Sequence, residues 1–129
     1  LTKRFLGVST EDLELRRSTG KKKSFNMNLK TCFAKTQEVI EKIGGYIYEA
    51  DEFIKEMIAF YRTEKDTTPV GVFFTQTSED TTEVEVVSPS KFTVMEVSKK
   101  IFLGLEDKLV TIEEEEEEEE NNVIDLTVE

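Results

Sequence analysis

The sequence predicts a mainly α chain with a small β-hairpin, an α+β arrangement of long helix, hairpin, second helix and acidic tail. Three observations predict it. Apolar residues recur in steps of three and four from Phe33 to Tyr61. Two β-rich runs, 70–76 and 82–88, flank a polar turn. The last seventeen residues hold a block of eight glutamates and then a short aliphatic string. The boundaries that follow are a basic N-terminal arm at 1–27, a body at 28–112 (helix 28–64, hairpin 70–88, helix 91–109) and an acidic tail at 113–129.

In the arm, Ser9 or Thr10 can cap a short helix whose first turn carries Glu11 and Asp12, acids that suit a helix N-terminus. The stretch Arg16-Arg17-Ser18-Thr19-Gly20-Lys21-Lys22-Lys23 follows, and Gly20 with crowded like charges reads as a loop. Three roles fit it: a nuclear-import patch, a contact to a phosphate backbone, or an ordinary solvated loop. Nucleic-acid binding has thin support, because no aromatics interleave these bases. Ser18 also sits in a context suited to basophilic kinases.

The long helix rests on the seam Phe33, Thr36, Ile40, Ile43, Ile47, Ala50, Ile54, Met57 and Tyr61, a heptad pattern of the coiled-coil kind. Cys32, Val39, Tyr46, Phe53 and Phe60 add a second row, which widens the stripe enough to meet more than one neighbour. Asn28 is the expected cap. Gly44-Gly45 interrupts the pattern and leaves a kink, a close helix contact or a break into two helices open, since each glycine costs up to ~1 kcal/mol against alanine. Pro69 biases the chain before it away from helix. This seam is also the expected route to a helix-mediated homo- or hetero-oligomer.

Val70–Gln76 reads as a buried strand and Thr82–Ser88 as its return. Two strands alone are marginal, so they must pack on a helix or join another sheet. Phe92, Met95, Val97, Ile101, Phe102, Leu105 and Leu109 approximate a helical face behind the cap Ser90, with Gly104 weakening the pattern.

Net charge is −11 over 129 residues, and its distribution gives it meaning. Residues 113–129 hold ten acids and no base. Without them the chain is near −1, with +5 in residues 1–30 and −6 in residues 31–112. The acidity therefore belongs to the tail. The lone cysteine, Cys32, allows no intramolecular disulfide and suits a reducing compartment. Its place in the second apolar row reads as a small buried hydrophobe rather than a catalytic thiol. The absence of histidine removes histidine bases, triads and His-ligated metals. No phosphate-cradling glycine loop, zinc spacing or nucleophile elbow is present. No apolar run reaches transmembrane length, and residues 1–7 lack the apolar core of a signal peptide. A first residue other than methionine points to an excerpt of a longer protein. The expectation is no enzyme, no cofactor, no metal and no membrane.

The tail carries the sharpest signal. Val123, Ile124, Leu126 and Val128 are apolar and favour an extended backbone. In a strand, 124, 126 and 128 share one face. So short a strand cannot bury that face alone; adding to the edge of another sheet would. Val123-Ile124-Asp125-Leu126-Thr127 resembles the SUMO-interacting motif, in which aliphatic residues and an acid are flanked by an acidic run. The resemblance covers about five residues plus the glutamate block, not a domain. It implies that Val123, Ile124, Asp125, Leu126, Thr127 and Val128 dock as a strand in the strand–helix groove of SUMO. Glu113, Glu114, Glu115, Glu116, Glu117, Glu118, Glu119 and Glu120 would then face basic residues. Strand direction stays open. A solvated acidic tail, or a last strand of the chain's own sheet, are the plainer readings. Val84-x-Val86-Val87 fits a looser form of the motif, but a hairpin strand explains it better. Ser88-Pro89 fits proline-directed phosphorylation. No lysine lies in a SUMO-acceptor arrangement, so any SUMO contact is expected to be non-covalent.

The functional expectation is a nuclear, or nuclear and cytoplasmic, adaptor that binds SUMO or SUMO-modified proteins. The alternative is a helical module of a larger assembly whose acidic tail binds basic proteins such as histones.

Overall fold

A computed structural model describes residues 4–5, 8–63 and 66–109. Its centre is a five-stranded antiparallel sheet, not a long helix. The order along the chain is β1 (Arg4–Phe5), β2 (Val8–Ser9), α1 (Thr10–Leu15), a 3-10 turn (Arg17–Thr19), β3 (Lys21–Phe25), α2 (Leu29–Lys42), β4 (Tyr46–Asp51), β5 (Glu56–Arg62), β6 (Thr67–Ser78), β7 (Thr81–Val87) and α3 (Lys91–Leu105). The main sheet runs β3-β7-β6-β5-β4, and β1 and β2 form a separate small ladder. The strands β4 to β7 are a meander, and β7 delivers the chain beside β3, so first and last strands of the sheet are neighbours.

This overturns the mainly α expectation, and the correction lies between residues 43 and 62. The helix begins where expected, with the Asn28 side chain accepting from Thr31 N at 2.8 Å. It ends at Ile43 rather than before Pro69. Gly44 adopts φ +90°, a left-handed conformation that costs glycine little. Its N–H donates to Glu41 O and that of Gly45 to Ile40 O, at 3.1 and 2.8 Å. These two bonds are the Schellman helix stop. Of the outcomes left open at Gly44-Gly45, a break is what occurs, and a strand follows it rather than a second helix.

The heptad seam beyond this point is a coincidence of composition. Residues 46–61 are so rich in apolar side chains that both the helical and the alternating template find matches. Tyr46–Asp51 in fact alternates exposed with half-buried positions. The β-branched and aromatic character of Tyr46-Ile47-Tyr48 and Met57-Ile58-Ala59-Phe60-Tyr61 suits strands, and the pairing of β5 with β6 fixes them. Ile54, placed on the seam by spacing, and Phe53, placed in the second row, sit exposed in the β4–β5 turn, where Asp51 Oδ1 accepts from both backbone N–H groups at 3.0 and 3.4 Å. No coiled-coil seam spans 33–61, and oligomerisation through it falls with it.

The stretches read as a hairpin are β6 and β7, but they are interior strands of a larger sheet. Alternation along them splits the core. Met57, Ala59, Tyr61, Val70, Val72, Phe74, Val84 and Val86 point to one face and pack with Cys32, Phe33, Val39 and Ile40 of α2 and Val97, Ile101 and Leu105 of α3. Ile58, Phe73 and Val87 point to the other, where Leu13 of α1 covers them and Phe60 joins the edge of the cluster. That second face explains the continuous apolar run in β6: it is covered on both sides.

The α3 helix starts at Ser90, whose hydroxyl accepts from Thr93 N at 3.2 Å. It is held to the sheet by Lys100, which donates to Tyr61 Oη at 2.9 Å. The helix stops in the manner of α2, with Asp107 at φ 60° and Lys108 N donating to Leu103 O at 2.8 Å. Gly104 lets the two helices meet: a Cβ there would lie 2.6 and 2.7 Å from the methyls of Val39.

Candidate functional site

The tail residues Val123, Ile124, Asp125, Leu126, Thr127 and Val128 and the flank Glu113–Glu120 lie outside the described residues. The structure does define the platform that carries them. The chain leaves α3 through Glu106, Asp107 and Lys108 to Leu109, which packs half-buried against the core. This exit lies beside β3. Glu106 is bonded to Lys23 and sits 3.3 Å from Lys108. Those two ammonium groups hold its carboxyl below the usual carboxylate range. Two residues on, on the same face of the strand, Phe25 packs on Phe102 with ring centroids 5.7 Å apart. The end of α3 thus touches β3 through Glu106 and α2 through Asp107 and Leu109.

The edge strand β3 is Lys21-Lys22-Lys23-Ser24-Phe25, exposed except at Phe25. Reading the basic stretch as a loop missed it, because lysines are poor strand formers. The strand forms because its backbone pairs with β7 from Lys21↔Val86 to Phe25↔Thr82, and exposed lysines are a common guard on a sheet edge. Lys21 and Lys23 share the helix-covered face with Phe25. Lys22 shares the other face, toward Glu85, from which its Nζ is 4.0 Å.

Glu85 is the residue that sequence reading did not single out. An acid in an alternating strand ordinarily faces solvent, yet Glu85 is 1% exposed. The second sheet face is itself covered, and Arg17 closes over it. Arg17 Nε donates to Glu85 Oε1 at 2.8 Å, and its guanidinium lies 4.7 Å from the Phe73 ring centroid. Part of the basic arm is thus a structural clamp. Only the burial of Glu85 could have announced it, and no local pattern carries that.

The opposite edge, β4, has a different character. Tyr46 stacks on Phe60 with centroids 6.4 Å apart, and Tyr48 tilts against the same ring at 5.4 Å. Around them are Glu49, Asp51, Glu52 and Glu56. Burial raises the Glu56 carboxyl above its usual range, and Glu14, Glu49 and Asp51 push it further.

Other expected sites resolve plainly. Cys32 is fully buried on α2; desolvation pushes its thiol up to about 11, against the bond from Thr36 and the charge of Lys35. It is protonated at neutral pH and has no character of a nucleophile. The looser motif Val84-x-Val86-Val87 is fully buried in an interior strand and cannot add to a partner's sheet. The Ser88 hydroxyl is buried and donates to Pro69 O at 2.9 Å, which takes it away from a kinase. Ser18 is exposed. A cavity of about 230 Å³ lies between α2 and α3, lined by Lys35, Val39, Lys42, Gly104 and Asp107 among others. Across it Lys35 Nζ lies 2.8 Å from Asp107 Oδ1. Among the described residues, no acid or cysteine cluster could hold a metal ion. Nor is any helix there long and apolar enough to cross a membrane.

Compared with known proteins, the chain matches no family model and no curated protein.

Proposed function

We propose that this chain is a non-enzymatic protein-interaction segment that binds SUMO or SUMO-modified proteins through its tail, with a nuclear site of action. The observation that carries the reading is the string Val123-Ile124-Asp125-Leu126 set directly behind eight glutamates. It has an aliphatic strand for a groove and a charge block for a basic rim. In this reading the sheet with its covering helices α2 and α3 is the body that carries the tail.

A single added strand buries little surface, so one contact is weak and gains from multivalent SUMO. The test is a titration of SUMO into the full chain, following tail amides. Replacing Ile124 and Leu126 by alanine together removes two pocket-filling side chains and should weaken binding at least ~10-fold, about 1.4 kcal/mol. Unchanged binding in that variant refutes the motif. Should binding partners instead be lost on neutralising Glu113–Glu120 while ignoring the alanines, the tail is a ligand for basic proteins such as histones.

A further inference from the structure

The two edges of the sheet are finished differently. The β3 edge carries Lys21, Lys22 and Lys23, an ordinary guard against pairing with another chain. The β4 edge, Tyr46–Asp51, carries no lysine and no proline, and among the described residues β5 is its only strand neighbour. Exposed apolar side chains gather there. Tyr46, Tyr48, Phe53 and Ile54 all stand exposed in β4 and the turn behind it, Tyr46 at 67% and Phe53 at 92%.

The register sorts this edge into two faces, because residues opposite each other across two strands share a face. Tyr46 lies opposite Phe60, Glu49 opposite Ile58 and Asp51 opposite Glu56, on the side of the sheet that α1 covers. Tyr48 tilts its ring onto Phe60 and so joins them. Ile47 opposite Ala59 and Ala50 opposite Met57 lie on the side of α2 and α3. Strict alternation would have sent residues 49 and 51 to the side of Ile47. The register shift between Ile47 and Glu49 turns them over, as a β-bulge does, and gathers both acids on the tyrosines' face.

That face suits a cation. Residues 46–56 carry a net charge of −3, with Lys55 their only base. Burial raises the Glu56 carboxyl, and Glu14, Glu49 and Asp51 raise it further, the mark of crowded negative charge. An exposed tyrosine ring adds a π-face that attracts ammonium and guanidinium groups. The other face offers Ile47 and Ala50, with no charge. A second copy's β4 would set −3 against −3, and like charges facing each other across a strand pair oppose it. A basic strand is attracted instead.

We infer that β4 is a docking edge for an extended peptide of alternating basic and aliphatic residues, which adds to the sheet as a sixth strand. Its basic side chains lie over Tyr46 and Tyr48 and toward Asp51 and Glu56. Its aliphatic side chains lie beside Ile47 and Ala50. The backbone ladder holds the peptide and the two faces fix its register, since a slip of one residue would turn every cation to the uncharged side. Neither the tail nor SUMO enters this inference.

The experiment titrates the isotope-labelled full chain at low salt with the capped peptide Lys-Val-Lys-Val-Lys-Val-Lys, whose pattern is the same in both directions. The amides of Tyr46–Asp51 should shift and gain protection from hydrogen exchange, while those of Lys21–Phe25 keep their positions. A peptide with glutamate in place of lysine should leave β4 unmoved. Two further peptides are N-methylated, one at every valine and one at every lysine. In a strand these two sets of N–H groups point to opposite edges, so one of the two peptides should lose the β4 shifts and the other keep them. Tyr46→Ala, at an exposed position, should weaken binding about 2–5-fold through loss of a surface cation–π contact. The glutamate run 113–120 also attracts the lysines, but by charge alone. It is read at its own amides, and methylation leaves it unchanged. Equal β4 shifts from both methylated peptides overturn the proposal, because charge without a ladder then explains the binding. So do shifts at Lys21–Phe25 as large as those at β4. So do β4 shifts that grow with the protein's own concentration in the absence of peptide, which assign the edge to a second copy.

Discussion

Replacing Gly104 by alanine puts a number on the contact between the two helices that cover the sheet. In an isolated helix the change is favourable by up to ~1 kcal/mol. In this fold the new methyl would lie 2.6 and 2.7 Å from the two γ-methyls of Val39 and 3.2 Å from its Cβ, where carbon atoms normally rest about 3.5–4.0 Å apart. Val39 has no easy escape: a β-branched side chain in a helix is confined almost wholly to one rotamer. The helices must separate or bend, and overpacking of this kind costs about 1–3 kcal/mol. Net of the propensity gain, G104A should destabilise the protein by up to ~2 kcal/mol. For a described region of this size that lowers the melting temperature by up to about 16 °C. Urea unfolding followed by circular dichroism measures it. The partner variant V39A removes the obstruction and should itself cost about 2 kcal/mol as lost burial and cavity. The decisive quantity is the double variant. Because alanine 104 no longer meets the valine methyls, V39A/G104A should be less destabilised than the two single losses added, by about 1–2 kcal/mol of coupling. Strict additivity, or a G104A protein more stable than the parent, would refute close approach of α2 and α3 at this point.

Arg17→Ala should destabilise more than its exposure suggests, by about 1–3 kcal/mol, because it strands the buried Glu85 carboxylate. Adding Glu85→Val should recover much of that loss in the same unfolding assay, and a further loss would refute the clamp. Cys32 should resist alkylation in the native state at pH 8 and react on unfolding. Its acid form is favoured by folding, since the thiol rises from 9.0 to about 11. That contribution is complete below pH 9 and lost as pH rises toward 11, about 2–3 kcal/mol in all. The alkaline fall in stability should be correspondingly shallower in Cys32→Ala, and parallel curves would refute it.

What could be read in the sequence were signals contained within a few residues. The caps at Asn28 and Ser90, the strands around Val72 and Val86 and the polar turn between them each depend on neighbours in the chain. The stretch 46–61 could not be read in this way. Its apolar residues satisfy two periodicities at once, and the choice between them is made by β5 pairing with β6 at a distance in sequence. The pair Gly44-Gly45 held the needed information, since a glycine pair at a helix end is a stop signal, but the seam continuing past it outweighed it. The Lys21–Lys23 strand and the buried Glu85 depend wholly on tertiary context. A lysine triplet joins a sheet only because β7 offers a ladder, and a carboxylate is buried only because Arg17 arrives to pair with it. The tail motif was legible as letters, and it lies outside the described residues.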